Sequence, residues 1–387
     1  MTPPIYLDYN GTTPLLPEAR RAMEPFLGEE FGNASSAHWY GIAPRRALEH
    51  ARQQTAALIG CRPEEIIFTS GGTESNNHAL KGMAELMSDR GNHIITTAIE
   101  HPAITEVCSY LREHGRQITA LPVDTHGRVA PADVEAAIRP ETILISVMHA
   151  NNEIGTIQPL EEIAEIANRH DLALHTDAAQ SIGKIPVSVK DLEVALLSLA
   201  GHKLYAPKGI GALYVRRDIP LPPFCHGAGQ ENSRRAGTEN IAAIVGLGAA
   251  CEAAARDLEA VMVHLAALRD RLHQGLQKAV PDIRLNGHPE KRLPNTLSLS
   301  LAGIDADRLL ETIGPEVAAS AGAACHADTV KVSHVLQAID LPREWARGTV
   351  RFSVGRMTTE SDIDRAARAV SEAARSLRRD RGIKVPD

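Results

Sequence analysis

The chain has 387 residues, of which 43% are hydrophobic and 23% charged, a composition typical of a globular protein with a large core. Its net charge of −7 and the lack of a basic cluster before the carboxyl terminus argue against nucleic-acid binding. No apolar run approaches the roughly 18 residues of a membrane span, and no signal-peptide pattern is present. The five cysteines are odd in number and scattered, which favours a reducing, cytoplasmic compartment over a disulfide framework.

The first two thirds of the chain alternate between apolar, strand-like runs and helical segments. An extended segment at 5–7 and helices at 17–27 and 44–59 come first. Strands are then predicted at 65–69, 93–97, 117–123, 142–147, 172–175, 194–199 and 210–215, with helices at 73–87, 102–114, 131–138 and 160–170. This alternation predicts an α/β fold with a mostly parallel sheet and helices on both faces.

The pattern changes after residue 239. Residues 239–280 predict a long Ala- and Leu-rich helix, broken or bent near its middle. Shorter elements follow at 296–301 (strand), 305–313 (helix) and 350–356 (strand). We therefore expect a large domain over 14–258 and a smaller α+β domain formed by 1–13 and 259–387, with a frayed charged tail at 378–387.

A lysine between two apolar runs is the first candidate for chemistry. His202 and Lys203 lie between the predicted strands 194–199 and 210–215, with little solvating charge around them. Burial lowers the pKa of a lysine and makes its amine a nucleophile for carbonyl groups. Taken alone, the pattern favours a lysine without a chemical role, whose aliphatic side-chain atoms are buried and whose ammonium group reaches water.

Two further candidates lie where predicted strands meet helices. Gly72 and Thr73 follow one strand and open a helix, an arrangement that suits a phosphate group or, more simply, a capped glycine turn. Asp177 ends another strand, where it could pair with a protonated ring nitrogen or cap a helix. A metal site with His175 lacks further ligands at a suitable spacing.

The remaining candidates offer stacking, polar binding and a thiol. His101 could stack on a planar ring or cap a helix, and Asn152 offers an amide after an apolar strand. Arg351 could clamp a carboxylate or form a surface ion pair. Cys325 follows a run of small residues and precedes polar ones, which favours an exposed, reactive thiol over a buried one. Together these are the parts that pyridoxal phosphate needs to act on an amino acid.

The sequence resembles the cysteine desulfurases of the class V aminotransferase family, in the branch that also contains selenocysteine lyase. The resemblance runs from Tyr6 to Thr359, and the motifs that carry it are 68–77, 150–155, 175–180, 201–205, 229–231 and 235–240. It implies fold type I of the pyridoxal phosphate enzymes, with a sheet of the seven-stranded type, and a homodimer with active sites at the subunit interface.

The resemblance also implies a role for each candidate residue. Lys203 would hold the cofactor as a Schiff base and move the substrate's α-proton, and Cys325 would be the nucleophile that takes the sulfur. The cofactor ring would be bound by Asp177 at its nitrogen, His101 by stacking and Gln180 at its phenolic oxygen. Its phosphate would be bound by Gly72, Thr73, His202 and, from the partner subunit, Thr238. The substrate carboxylate would be bound by Asn152 and Arg351.

Two positions depart from the usual family pattern. Ala200 stands where many desulfurases have a serine, so one phosphate hydroxyl is missing. The cysteine motif at 325–328 reads Cys-His-Ala-Asp, closer to the selenocysteine lyases than to the usual Cys-Thr-Ser. Residues 229–231 are likewise closer to the selenocysteine lyase pattern.

The sequence therefore predicts a cysteine desulfurase that converts L-cysteine to alanine and an enzyme-bound persulfide on Cys325. The sulfur would pass to an acceptor protein, in iron-sulfur cluster assembly or another sulfur relay. Alternatives are a selenocysteine lyase, a class V aminotransferase or β-lyase that does not need Cys325, and a catalytically silent scaffold. The intact set of Lys203, Asp177 and Cys325 argues against the scaffold.

Overall fold

A computed structural model describes residues 3–326 and 329–380, with side chains except those of 323–331 and 380. The strands are β1 (Ile5–Tyr6), β2 (Ile66–Thr69), β3 (His93–Thr97), β4 (Gln117–Leu121), β5 (Thr142–Ser146), β6 (Ala173–Asp177), β7 (Leu196–Ala200), β8 (Gly211–Val215), β9 (Ile283–Asn286), β10 (Thr296–Leu301), β11 (Val317–Ala318), β12 (Ser320–Ala321), β13 (Ala323–His326), β14 (Thr329–Val332) and β15 (Thr349–Ser353). The helices are α1 (Pro17–Met23), α2 (Trp39–Ile59), α3 (Gly72–Leu86), α4 (Pro102–Glu113), α5 (Pro131–Ala136), α6 (Leu160–Arg169), α7 (Ile241–Ala279), α8 (Ala306–Ile313), α9 (His334–Ala338), α10 (Arg343–Ala346) and α11 (Glu360–Asp380).

A seven-stranded sheet forms the centre of the larger layer, in the order β2-β8-β7-β6-β5-β3-β4. Strands β4, β3, β5, β6 and β7 run parallel, and β8 lies antiparallel to both β7 and β2. Most of its strands are buried along their whole length, as expected of a sheet covered on both faces. The predicted α/β fold with a mostly parallel sheet is confirmed.

A second sheet, β12-β15-β10-β9, is antiparallel and has its own apolar core. That core contains Ile5 and Leu7 from the amino terminus and the carboxyl-terminal half of α7, as well as residues of α8 and α11. The amino-terminal half of α7 packs into the core of the large sheet. The division into 14–258 against 1–13 and 259–387 stays a prediction.

The helix boundaries differ from the prediction at two places. Helix α2 begins at Trp39, five residues before the predicted start, and carries Pro44 inside it. A proline has no backbone N–H to donate to the carbonyl four residues earlier, so the sequence predicted that the helix starts at Pro44. In the structure Pro44 lies inside the helix, near its amino-terminal end. The predicted break in 239–280 is wrong, because α7 is one uninterrupted helix of 39 residues. Within the described ranges, none of the helices is long and apolar enough to cross a membrane.

The connection from β8 to α7 has a strained backbone held by buried charge. Glu231, Asn232 and Ser233 are consecutive non-glycine residues with positive φ, of 46°, 54° and 63°. The Glu231 carboxylate accepts hydrogen bonds from Nη1 and Nη2 of Arg52, at 2.8 and 2.7 Å, and from the backbone N–H of Phe68 at 2.8 Å. Arg235 bonds in the same way to Glu74 on α3, with Nε 2.8 Å from Oε1. These anchors hold the left-handed turn in place.

Replacing Ser233 with glycine is expected to stabilise the protein. The left-handed conformation costs a residue with a Cβ about 1 kcal/mol that glycine does not lose. Urea unfolding at fixed protein concentration should therefore give a higher free energy of unfolding for Ser233→Gly. Ser88→Gly, at an exposed turn position without positive φ, is the matched control and should lower it. An equal decrease in the free energy of unfolding of both variants would contradict the backbone strain at Ser233.

Candidate active site

Most of the predicted site residues line one cavity at the carboxyl ends of the central strands. The cavity has a volume of about 250 Å³ and lies between the large sheet and Arg351 on β15. Every residue predicted for the site whose side chain is described lines it, except Thr238. Those that do are Gly72, Thr73, His101, Asn152, Asp177, Gln180, His202, Lys203 and Arg351. Parallel strands end together at one sheet edge, which is why residues far apart in the chain meet here.

Lys203 lies at the end of a short 3₁₀ turn, Gly201–Lys203, directly after β7. Its Nζ donates to the backbone carbonyls of Asn10 and Gly11, the latter at 2.6 Å. Burial, and to a lesser extent the Arg351 guanidinium, lowers the pKa of Lys203 to about 8 against the opposing pull of Asp8 and Asp177. About a tenth of Lys203 is therefore the free amine at pH 7, far more than for an ordinary lysine, and a carbonyl nucleophile requires this form.

Asp177 ends β6, and both of its carboxylate oxygens are hydrogen-bonded. Oδ2 accepts from Nδ2 of Asn76 at 2.7 Å, and Oδ1 accepts from the backbone N–H of Ala179 at 3.0 Å. The side chain is almost fully buried but faces the cavity. These donors fix the position of the carboxylate, from which it can accept a hydrogen bond from a protonated ring nitrogen.

His101 precedes α4 and caps it. Its Nδ1 accepts from the backbone N–H of Ala103 at 3.1 Å, which leaves any proton of the neutral ring on Nε2. Desolvation lowers the pKa of His101, and the charge of Lys203 lowers it further, against the opposing effect of Asp177. The ring is therefore neutral, and it lines the cavity beside the carboxylate.

The amino terminus of α3 forms the opposite end of the cavity. Gly72 and Thr73 begin this helix, and its first N–H groups have no partner within the helix. A Cβ on Gly72 would approach the Ala200 methyl group to 3.2 Å, so the two backbones pass closely. His202 is held by Thr12 Oγ1, 3.2 Å from its Nδ1, and burial lowers the pKa of His202 to about 4. It offers an N–H donor rather than a charge.

Arg351 lies across the cavity from this helix and is already engaged. Its Nη2 is 2.6 Å from Oδ1 of Asp8 and 3.1 Å from Oγ of Ser320. Its Nη1 donates to the backbone carbonyl of Asn152 at 3.1 Å. The Nε of Arg351 is buried without a hydrogen-bond partner among the described side chains, so donor capacity remains for a ligand.

Three residues of the site were missed by the sequence reasoning. Asp8 pairs with Arg351, Asn10 accepts from Lys203, and Asn76 supports Asp177. Asp8 and Asn10 belong to the polar segment 8–11, which directly follows the predicted extended segment 5–7. Its polar residues next to a buried strand were the available signal, whereas Asn76 on α3 gave none beyond its helical spacing from Thr73.

Thr238 lies apart from this cavity, and the side chain of Cys325 is outside the described part of the structure. Thr238 is exposed and lines a separate cavity with Glu231 and Arg235. Cys325 is on β13, opposite Val330 of β14 in an antiparallel hairpin, but its side chain is outside the described residues. Among the described side chains, no group of three or more His, Cys, Asp or Glu could hold a metal ion.

Comparison with known proteins gives a consistent result. The family model described as aminotransferase class V matches residues 5–366. The chain is 48% identical over 361 residues to "Cysteine desulfurase IscS" of Dictyoglomus turgidum, covering 93% of this chain and 92% of that protein. A solved "NifS-like protein" superposes with a TM-score of 0.90 at 37% identity, covering 95% and 98% of the two chains. The structure "SspA in complex with cysteine" superposes with a TM-score of 0.80 at 37% identity, covering 90% of this chain and 98% of that chain.

The lowered pKa of Lys203 predicts selective labelling. In the cofactor-free protein, reductive alkylation by a small aldehyde and a borohydride should rise with pH at Lys203, because only the free amine reacts. The half-maximal rate should lie at about pH 8, against about 10.4 for an N-acetyl-lysine standard. Mass spectrometry of the peptide that contains residue 203 measures the labelling rate at each pH, and Lys203→Ala is the control. A midpoint at the value of the standard would contradict the burial argument.

Proposed function

Because the chain belongs to the class V aminotransferase family, we infer that it is a pyridoxal-phosphate-dependent cysteine desulfurase. The observation that carries this inference is the single cavity that joins the Lys203 amine, the Asp177 carboxylate, the amino terminus of α3 and the Arg351 guanidinium. The overall reaction takes L-cysteine and the thiol of Cys325 to L-alanine and a persulfide on Cys325. The residue roles are our proposals.

The donors of the cavity fit the cofactor. Lys203 offers an amine for its aldehyde, Asp177 a carboxylate for its ring nitrogen, and α3 an N-terminal anion site for its phosphate. We propose that Gly72, Thr73 and His202 hold the phosphate, while Ala200 contributes no hydroxyl. When bound, pyridoxal phosphate supplies an electron sink for the carbanion at the substrate's α-carbon.

The protein's residues perform the proton transfers and the orientation. The free amine of Lys203 removes the proton from the substrate's α-carbon, a task suited to a pKa of about 8. Asp177 keeps the ring nitrogen protonated, because its two hydrogen bonds hold the carboxylate in place. The neutral ring of His101 lies against the cofactor and brings no competing charge.

Arg351 and Asn152 bind the substrate carboxylate in this proposal. The Arg351 guanidinium already touches the Asn152 backbone, so the two residues form one polar surface. Asp8 holds the guanidinium at 2.6 Å and neutralises part of its charge before the substrate arrives. The substrate therefore shares Arg351 with Asp8 rather than meeting a free cation, which favours easy release of alanine.

Cys325 then takes the sulfur. Its thiolate attacks the substrate's sulfur, an S–S bond forms, and the Cβ–S bond breaks with its electron pair left on the β-carbon. A proton on that carbon completes alanine, and the persulfide stays on the enzyme until an acceptor protein removes it. The hairpin β13–β14, which carries Cys325, follows Gly322 and is followed by Ser333, whose Oγ donates to Oε2 of Glu153 at 2.6 Å. That bond joins the hairpin to the loop bearing Asn152.

A homodimer and a cytoplasmic location complete the proposal. Leu27, Phe31 and Trp39 are 71%, 73% and 74% exposed, an apolar surface that monomers seldom leave uncovered. A second copy of this chain would cover it and bring Thr238 to the phosphate of the partner site. The described cysteines, Cys61, Cys108, Cys225 and Cys251, are free thiols, as suits a reducing compartment.

Alanine release from L-cysteine tests the reaction. Cys325→Ala is expected to lower the rate by at least about a hundredfold, because no other nucleophile replaces the thiol that receives the sulfur. Cys61→Ala, which removes a thiol away from the cavity, should keep the rate. Alanine release that survives Cys325→Ala would contradict the persulfide route, and release from selenocysteine alone would identify a selenocysteine lyase.

Light scattering after size exclusion tests the dimer. The wild type is expected at twice the chain mass of 41.7 kDa. Trp39→Asp should shift the protein toward the monomer and lower cofactor retention, because Thr238 no longer reaches the partner's site. Val263→Asp changes a residue that is also exposed, at 68%, but lies on α7, and should leave the dimer intact. A monomeric wild type at micromolar concentration would refute this arrangement.

A further inference from the structure

We propose that Lys184 is a positioning residue that fixes the side-chain amide of Gln180, so that this amide presents an N–H donor to the cofactor's ring oxygen. The inference rests on the proposed function, because it concerns the same cavity and the same bound group. Lys184 does not line the cavity itself, whereas Gln180 does. Its effect on the cofactor must therefore pass through a neighbour, and Gln180, with its Oε1 2.8 Å from the Lys184 Nζ, is held more closely than Asn10, whose Oδ1 is 3.3 Å away.

The environment of Lys184 is unusual for a lysine. The residue is only 5% exposed, and among the described side chains no carboxylate lies within ion-pair distance of its Nζ. Its Nζ donates to Oε1 of Gln180 at 2.8 Å and to Oδ1 of Asn10 at 3.3 Å. Burying an amine without a counter-charge is costly. A leucine or methionine would fill the same space at less cost, so these two hydrogen bonds are the feature that calls for a lysine.

The two partners of Gln180 permit only one orientation of its amide. The backbone carbonyl of Asn10 is an acceptor only, so the amide atom facing it at 3.2 Å must be Nε2. The other amide atom, Oε1, then faces the Lys184 amine, which has N–H groups to donate in both its charged and its neutral form. The amide cannot turn over without breaking both bonds.

The consequence for a ligand is direct. The Nε2 group has two hydrogens, of which one is bound by Asn10, so the other is available to the cavity that Gln180 lines. A donor at that place favours a negatively charged or lone-pair oxygen on the bound ring. Without Lys184, only the longer hydrogen bond to the Asn10 carbonyl, at 3.2 Å, opposes a rotation of the amide that would present Oε1 and repel the same oxygen. Lys184 thus removes the unfavourable orientation rather than touching the ligand.

The test is a double-mutant cycle on the full-length protein, with pyridoxal phosphate as the probe. Equilibrium dialysis gives the cofactor dissociation constant for the wild type, Lys184→Met, Gln180→Ala and the double variant. The visible absorption maximum of each loaded protein is recorded as well. Lys208→Met, which removes an exposed lysine charge near His202, is the matched control. Thermal unfolding of each cofactor-free variant measures the structural effect separately.

We expect Lys184→Met to weaken cofactor binding about tenfold in the wild-type background and to shift the absorption maximum. In the Gln180→Ala background it should change binding by less than about twofold, since no amide remains to be oriented. Lys208→Met should stay within about twofold of the wild type. Additive effects of the two substitutions, with an unchanged absorption maximum, would overturn the positioning role.

Two other outcomes are also decisive. If Lys184→Met does not fold, Lys184→Leu, which is smaller and also lacks the donor, takes its place in the same cycle. Should the wild type itself fail to bind the cofactor, the proposed function is refuted and the inference falls with it. A wild type that binds normally while the cycle is additive refutes the inference alone.

Discussion

The site depends on the placement of Asn10. Its backbone carbonyl accepts from Lys203 and from Gln180, and its side chain bonds to Lys184. The same side chain reaches the second sheet, where Nδ2 donates to Oγ1 of Thr296 at 2.8 Å and Oδ1 accepts from Asn295 at 2.9 Å. Asn10 is 1% exposed, so each of these groups would be costly to bury without its partner. One residue of the amino-terminal segment therefore sets the reactive amine and joins the two sheets.

Charge in the cavity is arranged so that anions are attracted while the histidines stay neutral. Lys203 and Arg351 lie near Asp8 and Asp177, and burial keeps His101 and His202 uncharged. Loss of hydration and, to a lesser extent, repulsion from Arg351 lower the pKa of Lys203. An anionic ligand relieves that repulsion. The field that makes Lys203 reactive is therefore also the one that draws in a phosphate and a carboxylate.

The strands and the residues at their ends could be predicted from the sequence, because both follow from local patterns. The run 93–97, rich in β-branched residues, matches β3, and the alternating run 296–301 matches β10. Lys203 and Asp177 were found because they follow such runs. The partners of these residues could not be predicted, because Asn10 and Asn76 reach them across more than a hundred residues of chain. Their pairing depends on the packing of the whole fold.

The continuity of α7 has a consequence for the cavity. This helix extends about 58 Å at roughly 1.5 Å per residue, and its two halves pack into the two different cores. Within its 39 residues there is no break at which one core could swing away from the other. Lys203 follows β7 of the large sheet and Arg351 lies on β15 of the second sheet, so α7 ties together the two walls of the cavity that would hold the amino and carboxylate groups of a substrate.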